Sequence, residues 1–255
     1  MAQDIKTLHE RGWVILENVI PQNLLSQLHS GIDEAYNVCR EIQIKNGIAE
    51  NTDGTVHHLL CFEGAFLEFL KQSYCNNLLS AFFQSPFILN TYGGVINLPK
   101  KASYVANIHR DIRTFYNIPM MINMLVMLDD FTEANGATYL LSGSHLKDEK
   151  PAEDFFYKNA ERAIAPAGSI LLFDSLTWHA AGINNTELPR KALTLAFTRP
   201  FMKQQLDYPR FLGYDRLSEF DEEVKQVIGY NSRIPSNLDE WYQKPENRYY
   251  KPGQG

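Results

Sequence analysis

The sequence predicts a mainly β domain with flanking helices. From Ile88 onward the chain alternates between apolar, β-branched runs and turn-rich segments. The run from Met120 to Leu128 is almost continuously apolar, which is typical of a strand buried on both faces. Before Ile88 the apolar residues instead recur at helical spacing. We therefore expect helices to pack against a sheet region formed by residues 88–200.

The elements follow in a clear order. A short strand is predicted at about residues 12–19, ending before Pro21, and a helix follows it. Leu24, Leu28 and Ile32 recur at helical spacing, and we expect this helix to reach about Lys45. The remaining predicted segments are a polar loop at 46–60, a helical region at about 63–83, the sheet region at 88–200, and a carboxy-terminal segment at 201–255 that wraps against the sheet and contains a helix at about Ser218 to Ile228.

Length and composition predict a single domain, residues 1–255, with a substantial core, because 44% of its 255 residues are hydrophobic. Its amino-terminal part is 1–87. A net charge of −6 without a basic run argues against nucleic acid as a partner. No secretion signal and no apolar stretch of membrane-spanning length is present, which argues against a membrane partner. Three widely spaced cysteines fit reduced thiols in the cytoplasm. The oligomeric state stays open.

Three residues suggest a metal site. His109 and Asp111 lie in a stretch of β-capable residues, 103–111, in which alternate positions share one face of a strand. His179 ends a second apolar run. Two neutral imidazoles and one carboxylate can occupy one face of an octahedral ferrous ion and leave three positions open. The alternative is a strand that carries an ordinary Asp–His hydrogen bond.

An arginine follows this candidate site. Arg190 comes after a turn-like segment, 182–189, and we expect a hairpin to fold it back beside His179. Its guanidinium could hold the carboxylate of an acidic cosubstrate through two parallel hydrogen bonds. The alternative is a surface position, for which the neighbouring Lys191 is the better candidate. Every second residue from Arg190 onward is small or polar, which suits a ligand cavity: Ala192, Thr194, Ala196 and Thr198.

Two longer motifs surround these residues. Gly-Trp-Val-Ile-Leu-Glu-Asn-Val occupies 12–19 before the first long helix, and Leu-Asp-Asp-Phe-Thr-Glu-Ala-Asn-Gly-Ala-Thr occupies 128–138, running on to Ser-Gly-Ser-His at 142–145. With them, most of the chain resembles the phytanoyl-CoA dioxygenase family of iron(II)- and 2-oxoglutarate-dependent oxygenases. The resemblance implies a double-stranded β-helix, the jelly-roll barrel of cupin-like proteins.

The resemblance also implies roles for individual residues. His109, Asp111 and His179 are the expected Fe(II) ligands, and Arg190 is expected to bind the distal carboxylate of 2-oxoglutarate. Two further positions match cosubstrate contacts of relatives: Thr138, and Asn107, where glutamine is common. The implied reaction consumes 2-oxoglutarate and O2, releases succinate and CO2, and oxidises a small molecule. Hydroxylation is favoured over halogenation, because halogenating relatives have a small residue in place of Asp111; desaturation, epoxidation and rearrangement stay open.

Other polar residues each have two alternative roles. Asn107 and Thr138 could contact the cosubstrate or satisfy a neighbour's backbone. Asn123 lies inside an apolar run and needs a partner if it is buried, so a structural role and a cosubstrate contact are both open. Arg113 shares strand parity with Asp111 and is the candidate for binding an anionic group of the substrate, whereas Arg110 is expected in a surface ion pair.

The predicted function has two competitors. One is a non-catalytic metal- or ligand-binding protein on the same barrel, and the other is a cupin-like metalloenzyme that does not use 2-oxoglutarate. An open coordination face beside Arg190 favours the enzyme, because a purely structural metal site needs no open position. The sequence does not name the substrate.

Overall fold

A computed structural model describes residues 1–101 and 107–254. In that part of the chain the helices are Ala2–Arg11 (α1), Gln22–Lys45 (α2), Gly64–Lys71 (α3), Asn76–Phe83 (α4), Glu153–Asn159 (α5), Tyr208–Leu212 (α6), Glu222–Ile228 (α7) and Leu238–Trp241 (α8). The strands are Trp13–Leu16 (β1), Thr55–Val56 (β2), Ile88–Asn97 (β3), Met121–Met127 (β4), Tyr139–Leu140 (β5), Glu161–Arg162 (β6), Ile170–Asp174 (β7), His179–Ala180 (β8) and Arg190–Thr198 (β9).

The strands form two antiparallel sheets that line opposite sides of one cavity. The large sheet has the order β1-β7-β4-β9-β3-β2, and the small sheet has the order β6-β5-β8. At the centre of the large sheet, β9 pairs with both β3 and β4, so that Ala196 lies between Thr91 and Asn123. At the other end of β3, Asn97 is opposite Arg190. This two-sheet arrangement is a jelly roll, which confirms the predicted double-stranded β-helix fold with flanking helices.

The two faces of the large sheet have different partners. On the outer face, Leu193 and Leu195 of β9 belong to the same buried cluster as Leu28 and Ile32 of α2. The inner face contributes Ala192 to a second cluster between the sheets. Because successive side chains of a strand point to opposite faces, the small residues of β9 face the cavity and its large residues face the helices. The predicted alternation along this strand is therefore confirmed.

The predicted helices are present, but one predicted helical region is interrupted and another begins later in the structure. The helix α2 begins directly after Pro21 and ends at Lys45, as expected. The region at 63–83 is two helices, because Ser73 and Cys75 adopt positive φ angles of 52° and 67° and turn the chain between them. In the carboxy-terminal segment α7 begins four residues later than predicted, since the side chain of Asp221 accepts a hydrogen bond from the Val224 amide and caps the helix there.

The predicted strand at 103–111 is wrong for its described residues. Residues 102–106 lie outside the part that the structure describes. Beyond them, His109 forms only an isolated bridge to His179, in which each backbone N–H donates to the other residue's carbonyl at 3.0 and 2.9 Å. The backbone N–H of Asp111 donates to Ser175 instead. Residues 107–111 are therefore joined to the 175–179 segment by one reciprocal pair of backbone hydrogen bonds and one further bond, and not by a ladder.

The predicted hairpin between His179 and Arg190 is also wrong. The strand β8 pairs with β5 in the small sheet, whereas β9 pairs with β3 and β4 in the large sheet. The connection therefore crosses from one sheet to the other. The side-chain amide of Asn184 fixes its path by donating to the carbonyls of Asn97 and Leu188 at 2.9 and 2.8 Å. His179 and Arg190 thus face one cavity from opposite sheets.

Two properties outside the site complete the description. Across residues 1–101 and 107–254, every helix is too short or too polar to cross a membrane. Cys39, Cys61 and Cys75 are free thiols. Burial raises the pKa of Cys61 to about 11 and that of Cys75 to about 12, so both are protonated at neutral pH.

Candidate active site

The three predicted metal ligands converge at one side of the cavity. The ligand atoms of His109, Asp111 and His179 all lie within 4.8 Å of one another. Nε2 of His109 is 3.8 Å from Oδ1 of Asp111, and Nε2 of His179 is 3.9 Å from Oδ2. A first-row metal ion stands about 2.0–2.2 Å from nitrogen and oxygen ligands. The three side chains are therefore close enough to share one ion.

Backbone hydrogen bonds set the tautomer of both histidines. Nδ1 of His109 lies 2.7 Å from the carbonyl oxygen of Asn107, and Nδ1 of His179 lies 2.9 Å from that of Thr177. A carbonyl oxygen can only accept, so each Nδ1 carries the hydrogen and donates it. Each neutral ring therefore keeps the lone pair on Nε2, the atom that faces Asp111, as a metal ligand requires.

Asn123 holds the carboxylate ligand. Its side-chain amide donates to Oδ2 of Asp111 at 2.7 Å across the cavity wall. The partner that a buried asparagine in an apolar strand requires is thus the candidate metal ligand Asp111. On the opposite side, burial lowers the pKa of His179, and the charge of Asp111 opposes this only in part. The site therefore favours the neutral form of His179, as a metal-ligating histidine requires.

Arg190 lies deep in the same cavity, where its guanidinium packs 3.8 Å above the ring of Phe131. It is 3% exposed, and its Nε and Nη1 are buried without a hydrogen-bond partner in the described part of the chain. Burial lowers its pKa to about 10, so the group is still charged at neutral pH. Buried charged donors without partners are costly. Their arrangement fits a ligand that brings its own anion, such as the distal carboxylate of 2-oxoglutarate.

Asp129 does not neutralise this arginine. Its charge opposes the fall in the pKa of Arg190, but its two oxygens are engaged elsewhere. Oδ2 accepts the backbone N–H of Lys191 at 2.7 Å, and Oδ1 lies 3.0 Å from Nε2 of His29. Lys191, expected on the surface, is buried beneath α2, where its amino group contacts Asp33 at 2.6 Å. The neighbouring residues therefore face opposite sides of the sheet, and only Arg190 faces the cavity.

The cavity has a volume of about 400 Å³ and contains both halves of the site. Its wall between the metal ligands and Arg190 is made of small or apolar side chains: Ala192, Thr194, Ala196 and Leu125. Thr138, buried at the edge of the small sheet, also lines it. The small residues leave room for a chelating molecule to reach from the metal position towards the arginine.

Two predicted contact residues lie outside this wall. The side chain of Asn107 is exposed, and its contribution is the carbonyl oxygen that accepts from His109. Arg113 is also exposed and is not among the described residues that line the cavity. Its carbonyl oxygen accepts a hydrogen bond from Arg110 at 3.0 Å. A role of Arg113 in binding an anionic substrate stays a prediction.

Arg110 makes the predicted ion pair, but it is buried and not on the surface. Nη2 lies 2.6 Å from Asp148, and the guanidinium packs 5.2 Å from the ring of Trp178. Trp178 lies in a buried cluster on the side away from the metal ligands, as predicted from alternation. This contact fastens the segment that carries two metal ligands to the small sheet.

Three residues of the candidate site were not predicted as site residues from the sequence. Phe131 supports Arg190, although it lies in the Asp-Asp-Phe motif that the sequence analysis had already marked. Gln205 lines the cavity from the carboxy-terminal segment, where no motif indicated it. His57, which follows β2, also lines the cavity. These residues were hard to predict because each lies in a segment remote in sequence from the candidate metal ligands.

A jelly roll whose cavity joins a two-histidine, one-carboxylate site to a buried, unpartnered arginine defines a class of protein. It is a mononuclear non-haem iron oxygenase that takes an acidic chelating cosubstrate. The chain belongs to the phytanoyl-CoA dioxygenase family, whose sequence model matches residues 8–192. The expected enzyme class is therefore confirmed: an iron(II)- and 2-oxoglutarate-dependent dioxygenase.

Individual relatives cover nearly the whole chain. An uncharacterized protein of Mycobacterium tuberculosis is 32% identical over an alignment of 255 positions, which covers 96% of this chain and 92% of the relative. A dioxygenase of Talaromyces verruculosus is 24% identical and covers 91% of this chain and 84% of its own. The crystal structure of SnoN, a non-heme alpha ketoglutarate dependent epimerase from nogalamycin biosynthesis, shares the fold with a TM-score of 0.58 at 17% identity, over 77% of this chain and 82% of SnoN.

Proposed function

We propose that this dioxygenase hydroxylates an unactivated C–H bond of a small metabolite or biosynthetic intermediate. The observation that carries the proposal is the cavity that holds the open metal site and the unpartnered guanidinium of Arg190 together. When bound, Fe(II), 2-oxoglutarate and O2 supply the oxidising chemistry: one oxygen atom enters the substrate, the other enters succinate, and CO2 leaves. The protein supplies orientation and exclusion of water.

Each residue has a distinct part in this proposal. His109, Asp111 and His179 hold the metal, with the tautomers fixed by the two backbone carbonyls. Asn123 orients Asp111. Arg190 pairs with the distal carboxylate of 2-oxoglutarate through two charge-assisted hydrogen bonds.

Three further residues carry weaker assignments. Thr138 is the proposed additional cosubstrate contact, because it is buried in the cavity wall. Asn107 acts through its backbone carbonyl on His109. Arg113 stays the candidate for an anionic substrate group outside the cavity. We also propose that residues 1–255 act as a single catalytic domain in the cytoplasm, which fits three free thiols.

Asp111 separates hydroxylation from halogenation in this proposal. A carboxylate at this position occupies a coordination site that a halide ion would otherwise take. Desaturation, epoxidation and rearrangement use the same oxidising chemistry and differ in substrate placement. Product analysis by mass spectrometry distinguishes them, since hydroxylation adds one oxygen atom to the substrate and desaturation removes two hydrogens.

The experiment begins with the cosubstrate, before any substrate is known. Anaerobic protein loaded with Fe(II) should develop a weak visible charge-transfer band when 2-oxoglutarate is added. The band should be absent in His179→Ala and should need much more 2-oxoglutarate in Arg190→Ala. A metabolite panel is then screened for succinate release that requires both Fe(II) and O2. A wild-type protein that binds Fe(II) but forms no band would favour a cupin-like metalloenzyme or a non-catalytic binding protein.

A further inference from the structure

The substrate side of the cavity carries no charge of its own. Leaving the histidines aside, the described lining residues include one acidic side chain, Asp111, and one basic side chain, Arg190. The proposed function assigns the first to the metal and the second to 2-oxoglutarate. Residues 102–106, Ala-Ser-Tyr-Val-Ala, contain no ionisable group that is charged at neutral pH.

With its proposed ligands bound, the site would be electrically balanced. A divalent ion and the charged Arg190 offset Asp111 and the two carboxylates of 2-oxoglutarate. A charged substrate entering the cavity would therefore lose its hydration without gaining an ionic partner, which is strongly unfavourable. Lys100 and Lys101 do not change this balance of charges, because Lys100 pairs with Glu187 and Lys101 pairs with Asp53.

Two uncharged polar side chains line the part of the cavity remote from Arg190. His57 follows β2, and its Nδ1 would lie 3.6 Å from a Cβ atom placed on Gly93. The backbone N–H of Gln205 donates to the carbonyl of Asn90 at 3.2 Å, which fixes this residue beside the start of β3. The pairing partner of Arg190, Asn97, is at the other end of β3, about 20 Å along the strand from Asn90.

Both side chains are exposed to solvent, so their hydrogen-bonding groups are open to water or to a ligand. Neither the imidazole of His57 nor the side-chain amide of Gln205 has a hydrogen bond to a described residue, whereas the neighbouring His58 is engaged with the hydroxyl of Tyr208 at 3.0 Å. Burial lowers the pKa of His57, so its ring is neutral near pH 7. A neutral imidazole and an amide each offer one or more donors and acceptors.

Resting on the proposed function, we propose that the substrate is uncharged where it enters the cavity and presents a hydroxyl or carbonyl oxygen to His57 and Gln205. Carboxylates, phosphates and amines are then poor substrates unless the charge stays outside. The volume of about 400 Å³ must also hold 2-oxoglutarate. It therefore admits a small molecule, or the reactive end of a larger one.

The test uses four probes that share one ring and differ in a single polar group: cyclohexanol, cyclohexanone, cyclohexanecarboxylate and cyclohexylamine. Each is titrated into the anaerobic complex with Fe(II) and 2-oxoglutarate, and the shift of the charge-transfer band reports binding beside the metal. We expect the alcohol or the ketone to bind at least ten times more tightly than the carboxylate and the amine.

Variants assign the preference to particular side chains. His57→Phe and Gln205→Leu should each weaken alcohol or ketone binding about three- to ten-fold, the range for one uncharged hydrogen bond. Gln205→Arg should move the preference towards the carboxylate, because it adds the missing cation. Lys203→Ala is the matched control. It removes an exposed charge two residues from Gln205 and should leave the binding of all four probes unchanged.

The outcomes separate this inference from the proposed function. If 2-oxoglutarate forms no band with the Fe(II) protein, the proposed function itself fails. If the band forms but the carboxylate or the amine binds as tightly as the neutral probes, or no probe shifts it, the neutral-substrate inference is wrong. Loss of carboxylate binding in Arg113→Ala would identify Arg113 as the recognising residue and would also overturn it.

Discussion

Arg190 allows a test in which binding and stability should change in opposite directions. Its Nε and Nη1 lack partners in the ligand-free protein, and its guanidinium packs on Phe131. Arg190→Met replaces it with a flexible side chain that can fill the space. Without the arginine, the distal carboxylate of 2-oxoglutarate loses two charge-assisted hydrogen bonds, together worth about 3–4 kcal/mol. The Kd for 2-oxoglutarate should therefore rise about 100- to 1,000-fold.

Stability should not fall in the same variant. Each buried unpartnered donor costs about 1 kcal/mol or more, and the cation–π contact with Phe131 returns about 0.5–2 kcal/mol. The free energy of unfolding of the cosubstrate-free protein should therefore be unchanged or rise by up to about 2 kcal/mol. Denaturant unfolding in the absence of ligand measures this change, and titration of the charge-transfer band measures the Kd.

Lys191→Met is the matched control, because it removes the adjacent cation that contacts Asp33 on the far face of the sheet. This variant should leave the Kd for 2-oxoglutarate within about two-fold of wild type, a difference of roughly 0.4 kcal/mol. The reasoning would be refuted if Arg190→Met bound 2-oxoglutarate normally and unfolded more easily. In that case the guanidinium would be a structural element and not a binding group.

Three further changes test the surroundings of the site. Asn123→Leu removes the hydrogen bond to Asp111 and should weaken Fe(II) or Co(II) binding about 10- to 100-fold by calorimetry; unchanged affinity would exclude this role. Burial raises the pKa of Asp174 to about 6, so the folded state favours its neutral form, and the stability advantage present below about pH 4 is lost as pH rises through 6. Asp174→Asn should therefore raise the free energy of unfolding by about 1–3 kcal/mol more at pH 8 than at pH 4.5; a pH-independent effect would contradict the assignment. Gly12 has a φ of 85°, and a Cβ there would lie 2.5 Å from Nδ1 of His145, so Gly12→Ala should lower the free energy of unfolding by about 2–4 kcal/mol in urea; a change below 1 kcal/mol would show that the turn can relax.

The sequence was most informative where a short pattern determines a local structure. The alternation from Arg190 to Thr198 assigned the small residues to one face of β9, and the structure has them there. The helical spacing after Pro21 gave both ends of α2. These patterns are reliable because burial on one face of a regular element repeats with a fixed period.

The sequence was least informative where partners are distant. An apolar run followed by a turn and a second run looks the same whether the two strands pair in one sheet or lie in two. The connection from His179 to Arg190 joins strands of two different sheets. Asn184 fixes its path through a hydrogen bond to Asn97, a residue remote in sequence. Likewise, the described residues 107–111 do not form a strand, since His109 makes only an isolated bridge to His179.

The cavity therefore gathers groups whose own interactions are incomplete. The Nε2 atoms of two histidines face a carboxylate at distances of 3.8 and 3.9 Å, too long for hydrogen bonds. Arg190 has buried donors without acceptors, and His57 and Gln205 have no side-chain hydrogen bonds to described residues. A fold that only needed stability would pair the buried guanidinium of Arg190 or replace it by an apolar side chain. A metal, a dicarboxylate and an uncharged oxygen-bearing substrate would satisfy the three sets separately. Their spatial separation thus argues for simultaneous occupation of one cavity by three chemically different ligands.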